Sequence, residues 1–307
     1  MRIVFMGTPD FAVPSLDALL HAGHKPVAVV TAPDKPRGRG LHLAPTPVKR
    51  YALEHGLHIL QPSALKDESF LADLRACAPD IIVVVAFRIL PEQVFTLATM
   101  GSFNLHASLL PKYRGAAPIN WALINGEPVT GVTTFFLERS VDTGRIIEQE
   151  QTPIGEDDDA GTLHDRLAAL GAAVVVRTVE KILAGNVVTR VQDNTFSTPA
   201  PKLFPEDCHI RWDVPSEQTW GFIRGMSPHP GAFSTHDGRT LKIYRTRRTR
   251  HEAAQPPGSI IAGPQTLHVA TADTLLEILE IQQEGRKRMT VEEFLRGYRF
   301  SPGARFE

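Results

Sequence analysis

A doubly wound α/β domain followed by a small β-barrel is the fold class predicted by three features of this 307-residue sequence. Short apolar runs alternate with helically spaced apolar residues through the first two-thirds of the chain. One run, residues 80–86, is almost continuous Ile and Val, as in a strand buried on both faces of a parallel sheet. Beyond Pro205 the texture changes to short alternating stretches divided by turn residues. The length is roughly twice that of a usual domain, leaving room for two cores.

In order, residues 2–6 form an apolar run ending in Gly7-Thr8-Pro9-Asp10, and Phe11, Val13, Leu16, Leu19 and Leu20 then recur at helical spacing up to Gly23. That is strand, turn, helix. A second β-rich run, 27–30, leads into a long loop over 31–47, a helix over 48–56 and a strand over 58–60. A helix over 65–78 turns Leu71 and Leu74 inward before the strand at 80–86, and this βα alternation predicts a Rossmann-like sheet. Strands are then expected at 103–106, 130–138 and 145–151.

The acids Glu156, Asp157, Asp158 and Asp159 lack the alternating spacing of a calcium loop and immediately precede Leu163, Leu167, Leu170 and Val174. They mark a helix N-terminus, with Thr162 and Asp165 nearby for capping. Residues 194–205 hold three prolines and no apolar periodicity, as a linker does. The expected organisation is a domain over 1–190, a linker over 191–205 and a second domain over 206–307. In the latter, strands at 241–244, 258–261, 267–270 and 275–281 suggest a small OB-like barrel, with a helix near 217–225 and a capping box at Thr290-Val291-Glu292-Glu293.

Composition excludes several classes. The apolar run 81–87 is far short of the roughly 20 residues that span a bilayer, and the N-terminus lacks a signal-peptide layout, so a cytoplasmic protein is expected. Cys77 and Cys208 are too far apart in sequence for a disulfide framework or a zinc cluster. Residues 1–204 carry 19 Lys+Arg against 21 Asp+Glu, and residues 205–307 carry 14 against 13, so any polyanion partner must be met by local patches.

The informative chemistry lies in Asn104-Leu105-His106-Ala107-Ser108-Leu109-Leu110-Pro111. In a strand Asn104 and His106 point to one face. An imidazole can move a proton near neutral pH and a carboxamide can donate to a developing oxyanion, so the pair suits acyl transfer. The same spacing fits a hydrogen-bonded structural pair, and spacing does not choose between them. Asp142, in a tight turn between two predicted strands, either bonds its own backbone or orients His106. Ser108 lacks a nucleophile elbow, and Gly7 lacks the remaining glycines of a dinucleotide fingerprint.

Larger motifs add a family resemblance. Residues Phe5-Met6-Gly7-Thr8-Pro9-Asp10-Phe11-Ala12-Val13, the loop Pro33-Asp34-Lys35-Pro36-Arg37-Gly38-Arg39-Gly40, residues 104–111 with Arg114-Gly115-Ala116-Ala117-Pro118-Ile119, Asp142-Thr143-Gly144 and Ala200-Pro201-Lys202-Leu203 together carry it. The chain resembles the formyltetrahydrofolate-dependent formyltransferases and, within them, the methionyl-tRNA formyltransferases. The resemblance covers both expected domains. It implies that 10-formyltetrahydrofolate gives its formyl group to the α-amine of methionyl initiator tRNA, with Asn104, His106 and Asp142 catalytic and no metal required. Ser108, Leu109, Leu110 and Pro111 would line the folate, with Phe87 and Leu90 opposite them.

For tRNA, the resemblance points to Lys35, Arg37 and Arg39 in a loop whose residues 34–50 hold five bases and one acid. Residues 239–250, with Arg245, Arg247 and Arg248 among six bases and no acid, are the second candidate patch for phosphates, or else a solvated strand face. Two competing readings remain at this level. Lys112-Tyr113-Arg114-Gly115 and Ile119-Asn120-Trp121 also resemble formyltransferases acting on amino sugar nucleotides, and a degenerate tRNA-binding module would need no chemistry at all.

Overall fold

The structure, a computed structural model, describes residues 1–37 and 42–307. The chain begins β1 (Ile3–Gly7), α1 (Val13–His21), β2 (Ala28–Val30), β3 (Lys35–Arg37), β4 (His42–Ala44), α2 (Pro47–Glu54), β5 (Ile59–Leu60), α3 (Glu68–Ala76), β6 (Ile81–Val85), α4 (Glu92–Phe95) and β7 (Ser102–His106). It continues through β8 (Arg114–Gly115), α5 (Pro118–Ile124), β9 (Val129–Phe136), β10 (Ile146–Pro153), α6 (Ala160–Leu183), β11 (Pro199–Ala200) and α7 (Ser216–Met226). The remaining elements are β12 (Ala232–His236), β13 (Arg239–Glu252), β14 (Ile260–Ala262), β15 (Leu267–Ala270), β16 (Thr274–Gln283), β17 (Met289–Thr290) and α8 (Val291–Gly297).

Two compact units emerge. The first comprises Met1–Gly115, Thr130–Thr152 and His164–Pro199; the second comprises Ala116–Val129, Pro153–Leu163 and Ala200–Glu307. In the first, a seven-stranded sheet has the order β10-β9-β7-β6-β1-β2-β5. Strands β5, β2, β1, β6 and β7 are parallel, and the order reverses between β1 and β6, the position where open α/β sheets carry their ligand crevice. β1 and β6 are buried along their whole length, as an unbroken apolar run requires. Val4, Met6, Ile82 and Val84 pack with Phe70, Leu71 and Leu74 of α3 on one face.

Three expectations need correction here. The sheet is only mostly parallel, because β9 runs antiparallel to β7, pairing His106 with Thr133 and Asn104 with Phe135. The expected loop over 31–47 contains an antiparallel hairpin, β3 with β4, with Lys35 opposite Ala44. Its strands, Lys-Pro-Arg and His-Leu-Ala, have no apolar alternation to advertise them. The N-terminus of α6 is closed by Asp159, which accepts Thr162 N at 2.8 Å; Asp165 pairs instead with His164.

In the second unit, an antiparallel sheet has the order β12-β13-β16-β15-β14, with β17 added to β16. Among the described residues β12 and β14 form no ladder with each other, so the antiparallel sheet does not close on itself as the expected small OB-like barrel would. Its core gathers Trp212, Trp220, Ile243, Leu276, Ile278 and Phe294. Segments 116–129 and 153–163 join this unit. Gly221 and Gly225 on α7 let that helix approach α5, since a Cβ at Gly225 would lie 2.8 Å from Asn120 O. The Thr290 capping box forms as expected, with Glu293 N donating to Thr290 Oγ1 at 3.3 Å. No helix among the described residues is long and apolar enough to cross a membrane.

Candidate active site

β7 sits beside β6 and ends at the carboxyl edge of the parallel strands with His106. Alternation turns Asn104 and His106 to one face, while Leu105 packs on the other against Gly171 of α6. Among the described residues the half-buried Asn104 carboxamide has no hydrogen-bond partner, so its donors are open to a ligand.

His106 is buried, and its Nε2 lies 2.7 Å from Tyr113 O. A carbonyl can only accept, so Nε2 carries a proton and Nδ1 is the uncommitted nitrogen. Nδ1 lies 4.0 Å from Asp142 Oδ2, with the side chains 7% and 12% exposed, so a proton arriving on Nδ1 meets a carboxylate in a largely dry setting. The same oxygen accepts Gly115 N at 2.9 Å, which aims it. Asp142 itself has φ of +55°, a conformation that Asp tolerates better than most side chains.

The loop after β7 is held from below. Thr133 Oγ1 donates to Ser108 O at 2.6 Å and accepts Leu110 N, and Gln149 Nε2 donates to both Leu110 O and Thr133 Oγ1. Ser108 is fully buried and donates its hydroxyl to Lys112 O at 2.6 Å. Leu110 is buried against Phe135 and Ile146. Both side chains are therefore committed to the fold, whereas Leu109 and Pro111 are half-buried. Phe87 and Leu90, beyond the end of β6, pack on the core beside α3, and Arg88 stacks on Phe87 while donating to Pro62 O and Ser63 O. Among the described residues no three His, Cys, Asp or Glu side chains are gathered around a metal-sized site.

The basic candidates belong to different units. Lys35 is exposed at the start of the hairpin and Arg37 lies in β3, whereas Arg39 falls outside the described residues. The hairpin's base is fixed by Lys49 Nζ and Gln61 Nε2 on Asp34, at 2.6 and 2.9 Å. Those two hydrogen bonds, Lys49 first, hold the Asp34 carboxyl below its usual range. The run 239–250, free of acids along the chain, meets acids across space. Arg245 pairs with Asp157, Arg247 with Glu277, and Arg248 with Glu156 and Glu217. Arg248 also stacks on Trp220.

Residues not assigned a role from the sequence complete the site; Tyr113 and Arg114 lie within motifs that carry the resemblances, whereas Thr133, Gln149 and Gln192 carry no signal. Tyr113 contributes a carbonyl, Thr133 and Gln149 a brace, and Gln192 with Arg114 a network behind Asp142. Lone polar side chains without a motif give nothing to read in advance.

A family model described as formyl transferase matches residues 1–179, and one described as formyl transferase, C-terminal domain, matches residues 202–299. The chain belongs to the formyltransferase family. Similar relatives of this formyltransferase include the methionyl-tRNA formyltransferase of Parabacteroides distasonis, 48% identical over 97% of this chain and 96% of that one. Another is the methionyl-tRNA formyltransferase of Caldanaerobacter subterraneus subsp. tengcongensis, 47% identical over 99% of both chains. Among solved structures, a sugar 3N-formyl transferase determined with dTDP and 5-N-formyl-THF shares the fold, with a TM-score of 0.70, 19% identity and coverage of 94% of this chain and 99% of that one.

Proposed function

We infer that this formyltransferase transfers the formyl group of 10-formyltetrahydrofolate to the α-amine of methionine esterified to initiator tRNA, supporting translation initiation. One observation carries the chemistry: a carboxamide without a partner among the described residues and an imidazole backed by a carboxylate share the carboxyl edge of a parallel sheet. The acceptor is carried by near-full-length identity to methionyl-tRNA formyltransferases.

A free α-amine has a pKa of about 7.7–8.0 and esterification lowers it, so near neutral pH much of the nucleophile is already unprotonated. As the new C–N bond forms, negative charge grows on the formyl oxygen. Asn104 Nδ2 donates to it. The acceptor nitrogen must lose a proton and the departing folate nitrogen must gain one. His106 Nδ1 is the ring atom free to handle that proton, directly or through water, and Asp142 steadies the ring while it is charged. The formyl group arrives activated, so the reading calls on no metal. The backbone of 108–111, with Leu109 and Pro111, and the 87–90 turn are assigned to the folate.

The tRNA is assigned to the hairpin bases Lys35, Arg37 and Arg39 and to Arg245, Arg247 and Arg248 on the C-terminal sheet, within the division 1–190 for catalysis and 206–307 for tRNA. The barrel-like use of that sheet belongs to the same reading. The two patches differ in their present partners. Arg245, Arg247 and Arg248 must exchange existing carboxylate partners for phosphate, whereas Lys35 has no partner among the described residues. Replacing Lys35 and Arg39 together is expected to reduce the slope of log affinity against log salt by about 1 for each phosphate that is no longer neutralised. Replacing Arg247 is expected to reduce it less. Binding isotherms across a salt series check this, and an unchanged slope in the Lys35/Arg39 variant removes the hairpin from the interface.

The acceptor is tested by offering charged initiator tRNA and an amino sugar nucleotide side by side. Efficient formylation of the tRNA alone is expected, and transfer to the sugar alone overturns the reading.

A further inference from the structure

We propose that Gln192 is a positioning residue for formyl transfer: its buried carboxamide holds the backbone of the Asp142 turn, and through it the carboxylate, against His106. The proposal rests on the transfer reading above.

The turn needs holding from outside. Val141 is half exposed, Asp142 is in the left-handed region, and within the turn itself a side chain reaches only from Thr143 Oγ1 to Ser140 O. A turn tip with few ties of its own holds a catalytic group in place only if other residues fix it. Gln192 supplies the missing constraint. Its Nε2 donates to Asp142 O at 2.9 Å and to Gly144 O at 2.8 Å, bridging carbonyls on either side of Thr143. Its Oε1 accepts from Arg114 Nε at 3.2 Å and Nη2 at 2.6 Å. Both donors and both lone pairs are used, and only one orientation of the amide achieves this.

The network extends beyond Gln192. Arg114 Nη2 also donates to Asn194 Oδ1 at 2.8 Å, and Arg114 N donates to Thr198 O at 2.9 Å. The next residue, Gly115, donates its N–H to the Asp142 carboxylate at 2.9 Å. Residues 114–115 and 192 therefore grip Asp142 from two sides, one by its carboxylate and one by its backbone. The burial pattern agrees: Gln192 is 6% exposed beside Val191 at 66%, so the chain turns a polar amide inward and an apolar side chain outward. A buried amide at that position is explained by what it bonds.

The test separates positioning from mere support. Gln192→Glu keeps the shape and the Arg114 partner but cannot donate to either carbonyl. Single-turnover transfer to charged initiator tRNA is measured at saturating donor and acceptor for wild type, Gln192→Glu, Asp142→Ala and the double variant, with Gln192→Ala as a second probe of the same position. Gln192→Glu is expected to slow transfer by about 10²-fold with the KM for tRNA unchanged. If it acts through Asp142, the double variant is expected to be no slower than Asp142→Ala alone. A wild-type rate in Gln192→Glu, or losses that multiply in the double variant, overturns the proposal while the transfer reading stands. A wild type that formylates no charged tRNA overturns both.

Discussion

Asn104→Ala or His106→Ala is expected to slow single-turnover formyl transfer by at least about 10²-fold while leaving tRNA affinity unchanged, the loss typical of removing one preorganised donor or proton carrier. The structure makes Asn104 the cleaner experiment. Its carboxamide has no partner among the described residues, so truncation breaks no hydrogen bond of the fold. Truncating His106 also removes its hydrogen bond to Tyr113 O, a tie to the loop after β7, so its loss combines chemistry with loop position. Rapid-quench kinetics and equilibrium binding separate the two quantities. Wild-type transfer by either variant would remove that residue from the chemistry.

Gly144→Ala is expected to damage stability and activity together. A Cβ built there would lie 1.7 Å from Phe136 O and 3.3 Å from the Phe135 ring, and a backbone oxygen inside β9 cannot rotate away as a side chain can. The turn must lift off the sheet. Overpacking of this kind costs about 1–3 kcal/mol and sometimes more. The lifted residues include Asp142, whose carboxylate stands 4.0 Å from His106, so transfer is expected to fall by about 10²-fold as well. Denaturant midpoints with single-turnover rates check both parts. Unchanged midpoint and rate would mean that the turn has slack despite its closeness to Phe136.

What could be read in advance follows from how each feature is encoded. β6 was legible because burial on two faces demands five consecutive apolar residues, and β15 because it alternates between turns. The pairing direction of β9 was not, since Thr133, Thr134 and Phe135 satisfy either direction. The β3–β4 hairpin depends on backbone pairing without an apolar face. At the site, the shared face of Asn104 and His106 follows from strand alternation, whereas the approach of Asp142 depends on a turn whose position is set by Gln192 and Gly115. The acid-free run 239–250 shows the limit of reading charge along the chain: acids distant in sequence, Glu156, Glu217 and Glu277, pair with its Arg247 and Arg248 in space.

Following a labelled formyl carbon through one turnover with charged initiator tRNA puts the assigned chemistry to its sharpest trial. The label is expected on the methionyl α-amine with wild-type enzyme, and is expected to stay on the folate over the same interval with His106→Ala. Label moving equally fast in both would contradict the assignment, as would label that leaves the folate without ever reaching that nitrogen.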